Sequence, residues 1–451
     1  MKKISLFALC LMASVGLFAQ TQVTADKTGA ELQAAIDAAE AGTTVYVQAG
    51  TFKGNFIMKD RVNVSGGWNA DFSQQEKYAT ILDGNGDGRV VTQTADFTEL
   101  TIWDNLTIQN GKLKSNGKGA GVYLLWKSRL TNCLIQNNTF DQETVSECEG
   151  GGLAQDKDDN AGDIIADNCV IRNNEATHGG GVYLRSTMTN CIIENNKTLK
   201  NHPGGGAHLQ WGRLYNCIIR GNHSSEDAGG VRAYGNCKLV NCLIADNTCD
   251  VKVAGLALER TLDEVINCTI VNNDQKKTDS DKEYCGIRFD SDNADGNKFV
   301  NNVVWGNKAG GVVQSQQVSY SICKYSDATN NAIQGNVPGD FTTPYIKLAD
   351  DNAAADGPKF KDPESGDYSL AAGSVLIDAG LSSAISQETD VDGNERISGA
   401  AVDLGCYEYI SDVVTNIETV ENKNSNISKK VILDGQLLII RDGKTYNVLG
   451  F

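Results

Sequence analysis

One position of a repeated, glycine-led phrase is filled in turn by Tyr123, Tyr183, His208, Arg232, Ala257 and Arg288. Two places further on stand Leu125, Arg185, Gln210, Tyr234, Glu259 and Asp290, with Trp126 and Trp211 beside them. Ring faces interleaved with guanidinium, amide and carboxylate groups can stack against sugar rings and hydrogen-bond their hydroxyls. The candidate ligand-binding residues are therefore Tyr123, Tyr183, Arg185, His208, Gln210, Trp211, Arg232, Tyr234 and Glu259. The competing reading is an ordinary solvated sheet face, since scattered exposed aromatics are normal.

Two other constellations invite chemistry. Asp390, Asp392 and Asn394 alternate around Gly393 as oxygen donors do in Ca²⁺ loops, although the distant bidentate Glu of an EF-hand is missing. The competing reading is a turn whose acids pair with Arg396. The 13 Cys would suggest disulfides in an exported chain. Six of them, however, follow an Asn in the same phrase: Asn132-Cys133, Asn168-Cys169, Asn190-Cys191, Asn216-Cys217, Asn241-Cys242 and Asn267-Cys268. Stacked at one strand position, such Cys have parallel Cβ vectors, which suits a column of buried thiols better than bridges. Cys-x-x-Cys zinc spacing is absent from the sequence.

The elements that would carry these residues follow from the repeat. Steps between successive marker Cys are 36, 22, 26, 25 and 26 residues, with Leu106 continuing the column upstream and Asn302 downstream. A period of this length means a solenoid. A leucine-rich repeat would need several fixed Leu per turn; β-branched residues bounded by Gly and Asn favour strands instead. Strand alternation turns Val182 and Leu184 inward and Tyr183 and Arg185 outward. Met188, Cys191 and Ile193 also point in, which requires a bend at Asn190, a residue type that tolerates left-handed angles. Stacking would then place these Asn amides in a ladder.

The ends differ from the middle. Residues 1–19 read as an export signal, with Lys2-Lys3 before an apolar run. A lipoprotein reading would acylate Cys10, but Leu9 before it is bulky. Leu32, Ala35, Ile36 and Ala39 at helical spacing predict a short capping helix ended by Gly42 and leading into the first strand. The predicted β-helix domain spans 20–410, a polar linker 411–429, and a strand-forming tail 430–451. A net charge of −17 argues against nucleic acid and against docking to anionic lipid. No segment after the signal reaches the length of a membrane helix.

On its Gly-Gly-Gly-Val and Asn-Cys-x-Ile-x-x-Asn coils and its helical start, the chain resembles the right-handed parallel β-helix proteins of the pectate-lyase-like superfold. Near the end, Gly366-Asp367-Tyr368-Ser369-Leu370, Ile377-Asp378-Ala379-Gly380, Asp390 to Arg396 and Val402 to Tyr409 look like the closing signature of bacterial choice-of-anchor Q surface proteins. Cys406 stands where that signature has a small residue. The tail is similar to those of exported Bacteroidetes proteins, including type IX secretion substrates. The resemblance implies an all-β solenoid at or beyond the cell surface, partnered by polysaccharide and by secretion or attachment machinery. Its lyases use a Lys, Arg or Tyr base and often Ca²⁺, roles open here to Tyr183, Arg185, Arg232 and His208. The paired acids, Gly-His-Gly and Arg-x-Lys of polygalacturonases are absent. Asp156, Asp158, Asp159, Glu226 and Asp227 lie in insertions, where acids are usually solvated. The leading expectation is glycan binding without catalysis; a lyase or glycosidase on the same face and a purely structural surface protein are the rivals.

Overall fold

The computed structural model describes residues 21–156, 163–260, 262–276, 286–289, 296–318, 326–337 and 345–411, and the backbone of 428–433, 436–441 and 444–447. The signal segment, Cys10, nearly all of the linker, Asp158, Asp159 and Asp290 lie outside them. No helix of the described residues is long and apolar enough to cross a membrane.

Four short strands make one coil, as in Val182–Leu184, Thr187–Thr189, Ile192–Glu194 and Lys197–Thr198. Each adds a rung to one of four stacked sheets. Two of these sheets have twelve strands, the sheet carrying the glycine-led phrases has nine, and a sheet of two-residue strands has seven. Among the described strands of these four sheets pairing is parallel except at Lys308–Ala309 with Val312–Val313, which closes the smallest sheet. Twelve rungs at about 4.8 Å give a rod about 50 Å long. Val182, Leu184, Met188, Cys191 and Ile193 all face the interior as expected, in one core that runs from coil to coil.

The helix Gly29–Ala38 begins with a capping box, in which the Glu31 N–H donates to Thr28 Oγ1 at 3.2 Å and the Thr28 N–H to Glu31 Oε2 at 2.8 Å. Leu32 and Ile36, one turn apart, seal the first coil. The helix does not simply lead into the first strand. A strand at Thr21–Val23 precedes it and pairs with Thr43–Gln48, so the helix is inserted within the opening coil.

Both corners flanking the Ile strand use left-handed backbone. Asn132, Asn168, Asn190, Asn216, Asn241 and Asn267 have φ of 51 to 57°, and Asn137, Asn173, Asn195 and Asn272 lie close to them. The outer amides stack unevenly: Asn168 donates to Asn132, but Asn190 donates to Asp167. The continuous ladder belongs to a different Asn from the one expected, five residues after each Cys. From Asn138 through Asn174, Asn196, Asn222, Asn247 and Asn273 to Asn307, each backbone N–H and side-chain Nδ2 donates to the next Oδ1 at 2.9 to 3.1 Å. Gln317 ends it. All ten described Cys are buried free thiols, and burial pushes the Cys191 thiol up.

Tyr345–Leu348 adds the last strand of the Ile-strand sheet, and residues 349–411 then run back along the outside of that sheet. Phe360, Tyr368, Leu376, Leu404 and Tyr407 cluster with the outward Leu243, Ala245, Val271, Val303 and Leu348 of the sheet. The outer Asn column ends in this segment, with Asn241 donating to the Thr389 carbonyl at 2.7 Å and Asn301 exchanging two bonds with Leu381. The tail forms three antiparallel strands, Ser428–Leu433, Gln436–Arg441 and Lys444–Asn447.

One buried acid breaks the amide rule. Asp263 is fully buried, accepts from the Cys237 N–H at 2.7 Å, and sits one rung from Asn297, which serves the Asp263 N–H in the same way. Burial pushes its carboxyl up to about 7. Between pH 4 and 7 the folded chain therefore holds a proton that the unfolded chain releases, so stability falls as pH rises through that window, by about 4 kcal/mol in full. Asp263→Asn should flatten the dependence of the urea midpoint between pH 5 and pH 8. An unchanged slope would place the titration elsewhere.

Candidate functional site

The register of the glycine sheet sets Tyr123, Tyr183, His208, Arg232, Ala257 and Arg288 in one row, with Ala154 filling the rung between the first two. Gln210, Tyr234 and Glu259 form a second row. Gln155 pairs with Leu124 and Leu184 at an inward position and is buried. Thus the sheet brings the predicted residues together, in the predicted order.

Their exposure differs from expectation. Tyr183 and His208 are 2% and 3% exposed, so the middle of the row is not an open aromatic face. The cause is a third column, one residue ahead of each glycine phrase. Lys118 pairs with Glu149, and Glu149 bridges to His178. Further along, the Gly179 N–H donates to the Pro203 carbonyl and the Gly204 N–H to the Asp227 carbonyl. Glycine is favoured where this column turns into the strand, although Ala228 fills the position after Gly204 with φ +55°. Gly179 has φ +59°, and a Cβ there would lie 2.2 Å from the Val182 carbonyl oxygen and 3.2 Å from His208 Cβ.

Charged side chains from this column and the strand ends lie over the rings. Lys118 Nζ sits 4.7 Å from the Tyr183 ring centre and 2.6 Å from both Glu149 and Asp156. Asp156 also meets Arg185 at 3.4 Å, and Arg185 donates to Gln210 Oε1 at 3.1 Å and 2.5 Å. On the other side Arg232 reaches Glu259 at 2.6 Å, and Arg288 reaches Glu259 at 3.2 Å and Asp227 at 2.5 Å. Asp156 and Asp227 are therefore parts of the face and not solvated acids of insertions; Asp227 is 3% exposed. The guanidinium of Arg89 lies 4.9 Å from the Tyr123 ring centre and that of Arg185 5.2 Å from Trp211. Arg260 and Arg232 lie 4.3 and 5.6 Å from the ring centre of Tyr234.

Three of the four His gather at the centre. The rings of His178 and His202 are 4.0 Å apart, and His208 lies 5.8 Å from His178 and edge-on to Tyr183. Burial, reinforced by neighbouring charge, lowers His178 to about 4 and His208 well below the usual imidazole range, so both are neutral at pH 7. Burial raises the Tyr183 phenol. Lys118 stays above the usual ammonium range: burial opposes this, but Asp156 and Glu149 outweigh it.

The Asp390 loop is closed by its own hydrogen bonds. Asp390 Oδ1 accepts from the N–H groups of Asp392 and Asn394, and Oδ2 from Asn394 Nδ2 and the Glu408 N–H. Arg396 pairs with Glu408 at 2.7 Å and not with the loop acids. Among the described residues no group of three or more His, Cys, Asp or Glu side chains is arranged to hold a metal ion.

A family model described as the right handed beta helix region matches residues 77–258 and 157–337. No curated protein matches the chain. Among solved structures, pectate lyase Pel9A aligns with 84% of this chain and 90% of its own at 14% identity and a TM-score of 0.45. The Azotobacter vinelandii mannuronan C-5 epimerase AlgE4 A-module aligns with 66% and 95% at 17% identity and a TM-score of 0.30. The PL6 family polysaccharide lyase Pedsa3628 from Pseudopedobacter saltans aligns with 86% and 100% at 14% identity and a TM-score of 0.30.

Proposed function

The chain belongs to the right-handed β-helix family, and from that premise we propose that it binds polysaccharide along the outward face of its glycine sheet, without catalysis. The observation that carries this reading is the chain of ion pairs Lys118–Asp156–Arg185 and Arg232–Glu259–Arg288 between aromatic rings on successive rungs. Half-exposed and already held in place, these pairs offer donors and acceptors to a hydroxyl-rich chain at little cost in ordering.

The same geometry speaks against turnover. A base must be unprotonated, of suitable strength and within reach of its proton. The Tyr183 phenol is raised, Lys118 is held as ammonium, His208 is covered, and His178 is too weak a base. In this reading residues 1–19 direct export and 430–451 serve sorting or attachment, as the likeness to choice-of-anchor proteins implies.

Affinity electrophoresis against uronic and neutral polysaccharides, with and without Ca²⁺, tests the proposal. Retardation by at least one polymer is expected, with no unsaturated, ultraviolet-absorbing product and no new reducing ends. Either product would replace binding by lyase or hydrolase activity.

A further inference from the structure

The turn that ends each glycine strand holds a feature the row of ion pairs does not explain. Trp211 occupies it with φ +57° while 43% exposed. A bulky side chain is rarely found in this backbone region, which favours Gly or Asn, and held strain of this kind gathers at functional positions. The neighbouring coils show what the turn accepts: Gly235 follows with φ +71° and Arg260 with φ +100°.

Gly235 leaves a notch between its neighbours. From the point a Cβ would occupy there, Trp211 Nε1 is 3.5 Å away on one side and Arg260 Cδ 3.7 Å on the other. Tyr234, next to the notch, carries the Arg260 guanidinium at 4.3 Å, and Trp211 carries that of Arg185 at 5.2 Å. Two aromatic rings on adjacent coils are thus each flanked by a guanidinium, with the Gln210 amide preceding Trp211 in the chain. An indole offers a flat apolar surface, and guanidinium and amide groups recognise carboxylate or hydroxyl oxygens.

We propose that Trp211, with Tyr234 and Arg260 across the Gly235 notch, is a sugar-stacking subsite. It takes the apolar C–H face of one pyranose ring on the indole, and Arg185, Gln210 and Arg260 meet the hydroxyl or carboxylate groups at that ring's edge. The inference rests on the polysaccharide-binding reading and adds to it the anchoring position.

The test uses Trp211→Gly and Trp211→Phe in the full chain, with alginate, polygalacturonate, xylan and mannan as probes. Glycine accepts φ +57° without steric cost, so Trp211→Gly should keep or raise the melting temperature. It should weaken binding of the polymer that wild type retains by about tenfold or more, as loss of a Trp anchor does. Trp211→Phe should keep most of the affinity. If Trp211→Gly lowers the melting temperature, Trp211→Asn, which also tolerates the turn, decides in its place. Unchanged affinity in the folded variant overturns the subsite and leaves the wider face standing. A wild-type chain that retains none of the four polymers overturns both.

Discussion

Asn222→Leu should destabilise the rod by about 3 kcal/mol or more, read as a fall in the urea midpoint. Asn222 Oδ1 accepts from the Asn196 N–H and Nδ2, and its own Nδ2 donates to Asn247 and to the Ile193 carbonyl. All of these atoms are buried, and leucine can serve none of them. The Asn196 N–H is left with no partner, at about 1–3 kcal/mol, and the ladder is interrupted above and below. Asn216→Gly is the contrasting variant. Asn216 is half-exposed at φ +52°, its Nδ2 donates two bonds of 3.4 Å, Asn241 Nδ2 would lose the 3.1 Å bond to its Oδ1 but keep the Thr389 carbonyl, and glycine suits that backbone. It should cost under about 1 kcal/mol. Equal losses in the two variants would mean that the inner ladder has no special weight.

Glu408→Ala should cost about 3–5 kcal/mol, concentrated in residues 345–411. Arg396 and Glu408 are both almost wholly buried, and alanine leaves the guanidinium without its ion-pair partner. The pair is not strong through its attraction: burial pushes Glu408 up to about 7 although Arg396 pulls it down, and burial lowers Arg396. Desolvation outweighs the mutual attraction, so the harm lies in stranding one charge. Glu408→Gln keeps acceptors for Arg396 and for the Asp403 N–H, and should cost much less. Hydrogen exchange should show faster opening of the closing segment and of Leu243, Val271 and Val303 beneath it, with the coils around Val122 unchanged. Uniform acceleration along the rod would contradict this division.

The coil was legible in the sequence because its rules are local. Alternation assigned Val182, Leu184, Met188, Cys191 and Ile193 to the interior, and a three-residue step demanded the left-handed corner at Asn190. The choice of ladder was not legible. Asn190 and Asn196 look alike in the phrase, and only the closed coil turns Asn196 into the core and leaves Asn190 at the edge. At the site, aligning phrases from the glycines forward recovered both rows. Aligning one residue backward would have exposed Lys118, Glu149 and His178 as a third. What no alignment supplies is that this third column folds over Tyr183 and His208, since that depends on contacts between coils. The bonding of the Asp390 loop was not legible for a similar reason: the Glu408 N–H, 18 residues on, meets its second oxygen.

The inner ladder has a consequence for how such a chain can change. Asn138 and Asn174 are 36 residues apart, Asn174 and Asn196 only 22, yet the bonds joining them are the same to within 0.1 Å. The core does not register how much chain lies between its rungs. Loops can therefore be exchanged, lengthened or duplicated as cassettes, and recognition can drift from one ligand to another while the interior needs no compensating substitution. A library randomised in the loops alone would inherit the fold unaltered.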